Sequence, residues 1–281
     1  MTMEIADLHT HTTASDGMNS PGENVKMAVE KGLKAIAITD HDTASGIEEA
    51  LAEAKKHPGF ECVPGIEIST LYNGQDIHVL GYYINHLDQS FLSKLDQLRN
   101  VRNERNHMII EKLNKLGIPI TLDEVAEKRK AKEGNIGRPH IAEVLMEKGI
   151  VSSLKEAFDV YLGKGKLAYA TPKRISPEEA VKMIIKAGGV PVLAHPGLYD
   201  EDELIPQLVN VGLQGLEVYH SDHSDEQEEH YKKLADNYRL LPTAGSDFHG
   251  IRNGVVFHGD IGNRTISFEA VLRLKELAKS P

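Results

Sequence analysis

The chain has 281 residues, 40% of them hydrophobic and 26% charged, with a formal net charge of −10 and a single cysteine. This composition excludes disordered, collagen-like and membrane-embedded classes, and the length suits one large α/β barrel, which needs about 250 residues. The acidic balance argues against nucleic-acid binding by the whole surface, and Cys62 alone can form neither an intrachain disulfide nor a cysteine-rich zinc motif. Any metal must therefore take nitrogen and oxygen ligands. No run of 18 apolar residues occurs, and Met1 to His11 lacks a basic start and apolar stretch. A cytoplasmic location is the expectation.

Short runs rich in β-branched residues alternate with helical patterns, as βα units of a largely parallel sheet require. Strands are predicted at Ile5 to Leu8, Ala35 to Thr39, Cys62 to Ile68, Val190 to Ala194, Gly215 to Tyr219 and Leu240 to Ala244. Asp76 to Ile84 alternates and is expected to pair with the third strand as a hairpin across Asn73-Gly74. Ser20-Pro21-Gly22-Glu23 and Ser176-Pro177-Glu178-Glu179 each offer a capping serine, a proline at the first helical position and a glutamate to close the box. Thr121-Leu122-Asp123-Glu124 is a third such start. Between about Ser90 and Ala170 the pattern is helical throughout, so residues 90–170 are expected to form an all-helical insertion, with 1–89 and 171–281 making the barrel. Arg99 to Arg138 holds ten Lys and Arg against six Asp and Glu, or +4, leaving −14 elsewhere. A basic segment in an acidic protein is a candidate clamp for an anionic substrate.

Histidines and carboxylates gather where predicted strands end, the place where barrel enzymes build their sites. His9 and His11 follow the first strand, Asp40 and His41 the second, His195 the strand Val190 to Ala194, His220 the strand Gly215 to Tyr219, and Asp247 and His249 the last. In extended chain residues i and i+2 point the same way, so His9-Thr10-His11 and Asp247-Phe248-His249 can each offer two donors to one metal. Glu67 lies inside an apolar strand, where a carboxylate needs a partner to offset burial. Asp40 is expected to orient a ligand rather than bind metal. His57, His86, His107, His223, His230 and His258 lack a convergent partner in sequence and are expected at the surface.

Asp7-Leu8-His9-Thr10-His11 with Ser15-Asp16-Gly17, Thr39-Asp40-His41-Asp42, Pro64-Gly65-Ile66-Glu67, His78, Ala194-His195-Pro196 and Gly245-Ser246-Asp247-Phe248-His249 resemble the PHP (polymerase and histidinol phosphatase) phosphoesterases. The resemblance spans the barrel and implies a distorted seven-stranded α/β barrel with two to three divalent metal ions. On that pattern His9, His11, Glu67 and Asp247 would hold the first metal. Glu67 would bridge to a second held by His78 and His195, and Asp16, His41 and His249 would hold a third. Imidazole with carboxylate and no thiolate suits Mn²⁺, Zn²⁺ or Fe²⁺. Clustered metals yield hydroxide from water near neutral pH, and that bridging hydroxide is the expected nucleophile.

Gly137-Arg138-Pro139-His140 brings the chain closer to the branch that removes 5′-phosphates from nucleoside 3′,5′-bisphosphates and short RNA. Arg138 presents a planar fork that matches phosphate, and Pro139 can start a helix whose N-terminal amides favour anions. Arg138, His140 and His220 are the candidate substrate contacts, with His220 or Arg138 as the candidate catalytic group. The expected partner is a small phosphorylated nucleotide or a short RNA or DNA end. The alternatives are a phosphatase of another small metabolite such as histidinol phosphate, and a noncatalytic binding module.

Overall fold

The computed structural model describes residues 4–130, 135–252 and 254–279. Lys132 and Glu133 of the basic segment lie outside the described residues. Eight strands form one sheet in the order β10-β1-β2-β3-β4-β5-β6-β7. They are β1 (Ile5–Asp7), β2 (Ala35–Ile38), β3 (Glu61–Tyr72), β4 (Gln75–Tyr82), β5 (Val190–Leu193), β6 (Gly215–His220), β7 (Leu241–Gly245) and β10 (Ile266–Ser267). The seven expected strands are all present, and the eighth is β10, a two-residue strand antiparallel to β1. The hairpin of β3 and β4 turns at Asn73-Gly74, both with positive φ. Leu8 N–H donates to the Ala244 carbonyl at 3.0 Å, bringing the ends of β1 and β7 together. The sheet thus curls into a nearly closed barrel.

Helices α1 (Pro21–Glu30), α2 (Ile47–Ala54), α7 (Pro177–Lys186), α8 (Leu204–Asn210), α9 (Asp225–Tyr238) and α10 (Phe268–Leu277) join or follow the strands. Ser20 with Glu23 and Ser176 with Glu179 close the capping boxes that start α1 and α7. Alternation along the strands divides the side chains. Ile66, Ile68, Ile77 and Val79 turn outward against Ala180 and Ile184 of α7, whereas Val63, Leu80, Tyr82, Val190, Val192 and Ala194 fill the inside with Ala6, Leu8, Ala35 and Ala37. Val271 and Leu274 of α10 belong to the same inner cluster.

Between β4 and α7 the chain makes α3 (Gln89–Lys115), α4 (Leu122–Ala126), α5 (Arg138–Glu147), α6 (Leu154–Ala157) and a π-helical turn, Phe158–Leu162. Thr121 and Glu124 form the capping box of α4. These helices have their own apolar cluster, with Ile109, Leu113, Val125, Ile141, Leu145, Val151 and Leu162 buried in it. Polar ties fasten them to the barrel: Asn135 Nδ2 donates to the His41 carbonyl at 2.6 Å, and Arg102 pairs with Asp42 at 2.9 Å. A small hairpin, β8 (Ile251–Arg252) with β9 (Val255–Val256), stands beside them. Its Arg252 pairs with Glu143 of α5.

Candidate metal centre

The inner faces of β3 and β4 continue from apolar to polar residues. Val63 gives way to Glu67 on β3, and Tyr82 and Leu80 to His78 and Asp76 on β4. Glu67 is buried, and its two oxygens face different imidazoles: Oε1 lies 2.8 Å from His78 Nδ1 and 3.0 Å from His195 Nε2. Oε2 lies 2.9 Å from His41 Nδ1, 3.1 Å from His11 Nε2 and 3.4 Å from His9 Nε2. Asp247 Oδ1 lies 3.3 Å and 3.2 Å from the same His9 and His11 nitrogens. Asp16, His41, His249 and His11 bring one donor atom each to within 4.8 Å of one another. All nine sequence-derived ligand candidates therefore meet in one cluster, in which His195 shares a group with His9 and Asp247, and His41 one with Glu67 and His78.

The close approach needs local backbone that few residues adopt. Asp42, His195, Asp247 and His258 all have positive φ, at 52°, 24°, 53° and 60°, the kind of strain that persists where the surroundings over-determine it. Gly245 lies against His9, and a Cβ there would overlap the His9 side chain. In β6 a bulge between Glu217 and Tyr219 changes the alternation. It brings His220, three residues after Glu217, back to the inside, where its ring centroid lies 5.2 Å from that of His195.

These donors suit cations. Glu67 Oε2, Asp247 Oδ1 and Asp16 Oδ1 are buried and have no hydrogen-bond partner among the described residues, a costly arrangement unless an ion supplies the missing contact. Burial pushes the Glu67 carboxyl up, but His41, His78 and His9 outweigh it and hold it well below the ordinary carboxylate range. Burial likewise raises Asp247 and the imidazoles of His258 and His9 more than reverse it. The ligands stay anionic. Ring orientation agrees: His9 Nδ1 faces Glu217 at 3.0 Å and His249 Nδ1 faces the Asp247 carbonyl at 2.8 Å, turning each Nε2 inward, an arrangement common to metal-bound histidines.

Asp40 accepts from Thr12 N, Thr12 Oγ1 and Ser15 Oγ at 2.8, 2.7 and 2.5 Å. As expected of an orienting residue, it holds the turn that presents Asp16. Glu217 was not singled out in the sequence, though it carries the same signal as Glu67, a carboxylate inside an apolar strand. It bonds His9 Nδ1 and accepts from His195 N at 2.8 Å, tying ligands of two different groups. Tyr199 was also missed; its hydroxyl lies 2.7 Å from His195 Nδ1 and accepts from His78 N at 3.0 Å.

Two histidines expected at the surface turn toward the cluster instead, one buried and one partly exposed. His223 is buried, with Nδ1 2.9 Å from the Val218 carbonyl. His258 places Nδ1 2.5 Å from Asp222 and Nε2 3.5 Å from Asp247. Folding of the strand-end loops, invisible in local spacing, carries both inward. His107 is exposed as expected, and His57, His86 and His230 pair with Glu53, Glu48 and Asp202 away from the cluster.

Arg138 begins α5, where its guanidinium pairs with Asp76 at 2.9 Å. Gly137, before it, packs so closely on Asp16 that a Cβ would overlap the carboxylate. His140 is buried and accepts from Gly137 N at 3.0 Å, closing the first helical turn; burial and Arg252 pull its imidazole down to about 4. His220 Nδ1 accepts from Asp222 N at 3.1 Å, so its neutral ring carries the proton on Nε2, 3.4 Å from Asp247 Oδ2. Burial keeps that ring below its ordinary value.

The sequence pattern of the family described as PHP domain matches residues 7–186. The chain belongs to the PHP domain family. This PHP chain is 36% identical over 251 residues to the 5′-3′ exoribonuclease Rnm of Escherichia coli strain K12, covering 87% of this chain and 85% of that one. It is 33% identical over 257 residues, 90% of each chain, to the 3′,5′-nucleoside bisphosphate phosphatase of Chromobacterium violaceum. Its fold matches a Bifidobacterium adolescentis chain described as a metal-dependent phosphoesterase, with a TM-score of 0.87, 30% identity and 97% and 96% of the two chains covered. The PHP chain is accordingly a metal-dependent phosphoesterase, a hydrolase. Among the described residues no helix is long and apolar enough to cross a membrane.

Proposed function

We propose that the enzyme removes the 5′-phosphate from small nucleotides that carry a second phosphate, such as nucleoside 3′,5′-bisphosphates or the ends of short oligonucleotides. The observation that carries this reading is a second polar site beside the first. Arg102, Arg105, Arg138 and Arg174 converge between the helices and the β3–β4 hairpin: Arg102 pairs with Asp42, and Arg138 and Arg174 with Asp76. Arg105 is buried, and its Nε has no partner; neither has Arg174 Nη2. Burial and the neighbouring Arg174 and Arg102 pull Arg105 well below its ordinary value. Four guanidiniums against two carboxylates suit an anion.

The spacing supports a substrate with two phosphates. Asp76 and His78 are two residues apart on β4 and so share a face, about 7 Å apart along the strand. The arginines lie over one and the metal ligands round the other.

Two to three Mn²⁺, Zn²⁺ or Fe²⁺ ions would be held by His9, His11, Glu67 and Asp247, by Glu67, His78 and His195, and by Asp16, His41 and His249. Bound there, such ions lower the pKa of water and neutralise charge on the phosphoryl oxygens. Glu217 and Tyr199 fix the rings of His9 and His195. His220 offers its Nε2 proton toward the reacting phosphate or the leaving oxygen. Arg138 grips the second phosphate, with His140 holding the turn that presents it, and residues 90–170 serve as a lid. A panel of phosphomonoesters with the metal-loaded enzyme tests the reading. A nucleoside 3′,5′-bisphosphate should give the highest kcat/KM, well above the matching 5′-monophosphate and histidinol phosphate. A preference for histidinol phosphate would favour the metabolite reading instead.

A further inference from the structure

Phe257 is half-buried, yet among the described residues it joins none of the four apolar clusters of the molecule. Its neighbours are rings of the site. The His258 ring centroid lies 4.1 Å away, and that of His249 5.8 Å away, nearly perpendicular at 84°. On its other side is Phe158, from the π-helical turn, at 6.2 Å and 31°. The Arg138 guanidinium sits 5.8 Å over the Phe158 ring. Two aromatics from distant parts of the chain thus meet at the barrel rim, one backed by a metal-ligand candidate and the other by a phosphate-site candidate.

The rim beyond them is also apolar, since Ile251 and Val255 of the β8–β9 hairpin are 57% and 63% exposed. The ion pair of Arg252 with Glu143 fastens that hairpin to α5, so the surface is held in place before any ligand arrives. Half-exposed rings beside a phosphate site are how proteins hold nucleobases without reading their identity, because every base has a π-face.

We propose that Phe257, with Phe158 beside it, is a stacking platform for the nucleobase of the substrate. The proposal rests on the nucleotide reading above. It adds a third contact to the metal ions on the reacting phosphate and the arginines on the second one. The rings at 6.2 Å stand too close to admit a base between them, so the base lies on the outer face of Phe257. The platform accepts purine and pyrimidine alike.

Adenosine 5′-monophosphate carries a base where ribose 5-phosphate has its anomeric hydroxyl, and comparing them separates this contact from the arginine site. The metal-loaded enzyme should prefer the nucleotide in kcat/KM by roughly 5- to 150-fold, the range for one base on one ring. Phe257→Ala should erase that preference, lowering kcat/KM for the nucleotide much more than for ribose 5-phosphate. The chain has no tryptophan, so Phe257→Trp places a single fluorophore at the platform. That variant should keep the preference, and its emission should be quenched by the uncleavable phosphonate analogue of adenosine 5′-monophosphate but not by that of ribose 5-phosphate. A preference that survives in Phe257→Ala overturns the platform. Equal wild-type rates on both substrates also overturn it, yet leave the phosphatase reading intact; failure to cleave either removes that reading and the platform with it.

Discussion

Two polar regions adjoin at the barrel mouth, and they are opposite in what they lack. Around Glu67 and Asp247, the buried Glu67 Oε2 and Asp247 Oδ1 have no hydrogen-bond partner among the described residues. Around Asp76 the buried guanidiniums of Arg105 and Arg174 have donor atoms with no acceptor. The first region suits cations, and on the proposed reading the second takes an anion. On that reading a phosphate ester bound to metal ions, with another phosphate attached, would complete both at once. Neither imbalance serves stability, because an unmet buried group costs about 1–3 kcal/mol, and more when charged. Both are therefore marks of function.

The contrast breaks most sharply if a cation ligand is removed. Asp247→Ala and His195→Ala should each lower turnover by orders of magnitude with the fold retained, as kinetics and circular dichroism would show; near-normal turnover would strike that residue from the ligand set. Next in size is the buried pair of Arg102 with Asp42. Asp42→Asn keeps the positive φ that asparagine tolerates, but leaves Arg102 without its charge, and should cost about 3–5 kcal/mol in denaturant unfolding at neutral pH. The pH dependence has a definite sign. Burial pushes Asp42 up, but Arg102 outweighs it and sets the carboxyl below its ordinary 3.8. Its contribution is thus present above 3.8 and lost as pH falls through the lower folded value. The wild type should lose stability in that acid window more steeply than Asp42→Asn.

Arg138→Ala should lose most of the preference for the bisphosphate over the 5′-monophosphate, about 2 to 3 kcal/mol as for charge-assisted hydrogen bonds. Comparison of kcat/KM for both substrates measures it, and a full preference in the variant would move the second phosphate elsewhere. Glu217→Gln should weaken metal affinity by about 10- to 100-fold, the effect of losing a carboxylate behind a metal-bound histidine; metal titration decides it. The smallest effect on stability sharpens the comparison best. Arg105→Met replaces an unbalanced buried charge by an apolar chain, and should leave unfolding unchanged or stabilise the fold, while raising KM for the bisphosphate. A large loss of stability would make Arg105 structural.

Much of the fold was legible because its signals are local. Strand runs and three capping boxes depend on neighbours within a few residues, and all were found where expected. The nine ligand candidates were legible for another reason: their motifs resemble those of the PHP phosphoesterases, and several of them sit where barrel strands end. What escaped depends on contacts remote in sequence. Glu217 is met by a residue 208 positions away, His258 is carried inward by a loop, and the pairing of Arg138 and Arg174 with Asp76 joins three segments. The strand β10 was missed because two residues give no alternation to read. The same remoteness hides the proposed anion site, of which only Arg138 stood in a recognisable motif.

The most direct test of the central claim is the metal content of protein purified anaerobically with divalent metal supplied. Elemental analysis should find about two to three Mn²⁺, Zn²⁺ or Fe²⁺ ions per chain, with a sharp fall in Glu67→Ala, where the carboxylate facing every group of ligands is gone. Fewer than one equivalent in the wild type would contradict a multinuclear centre.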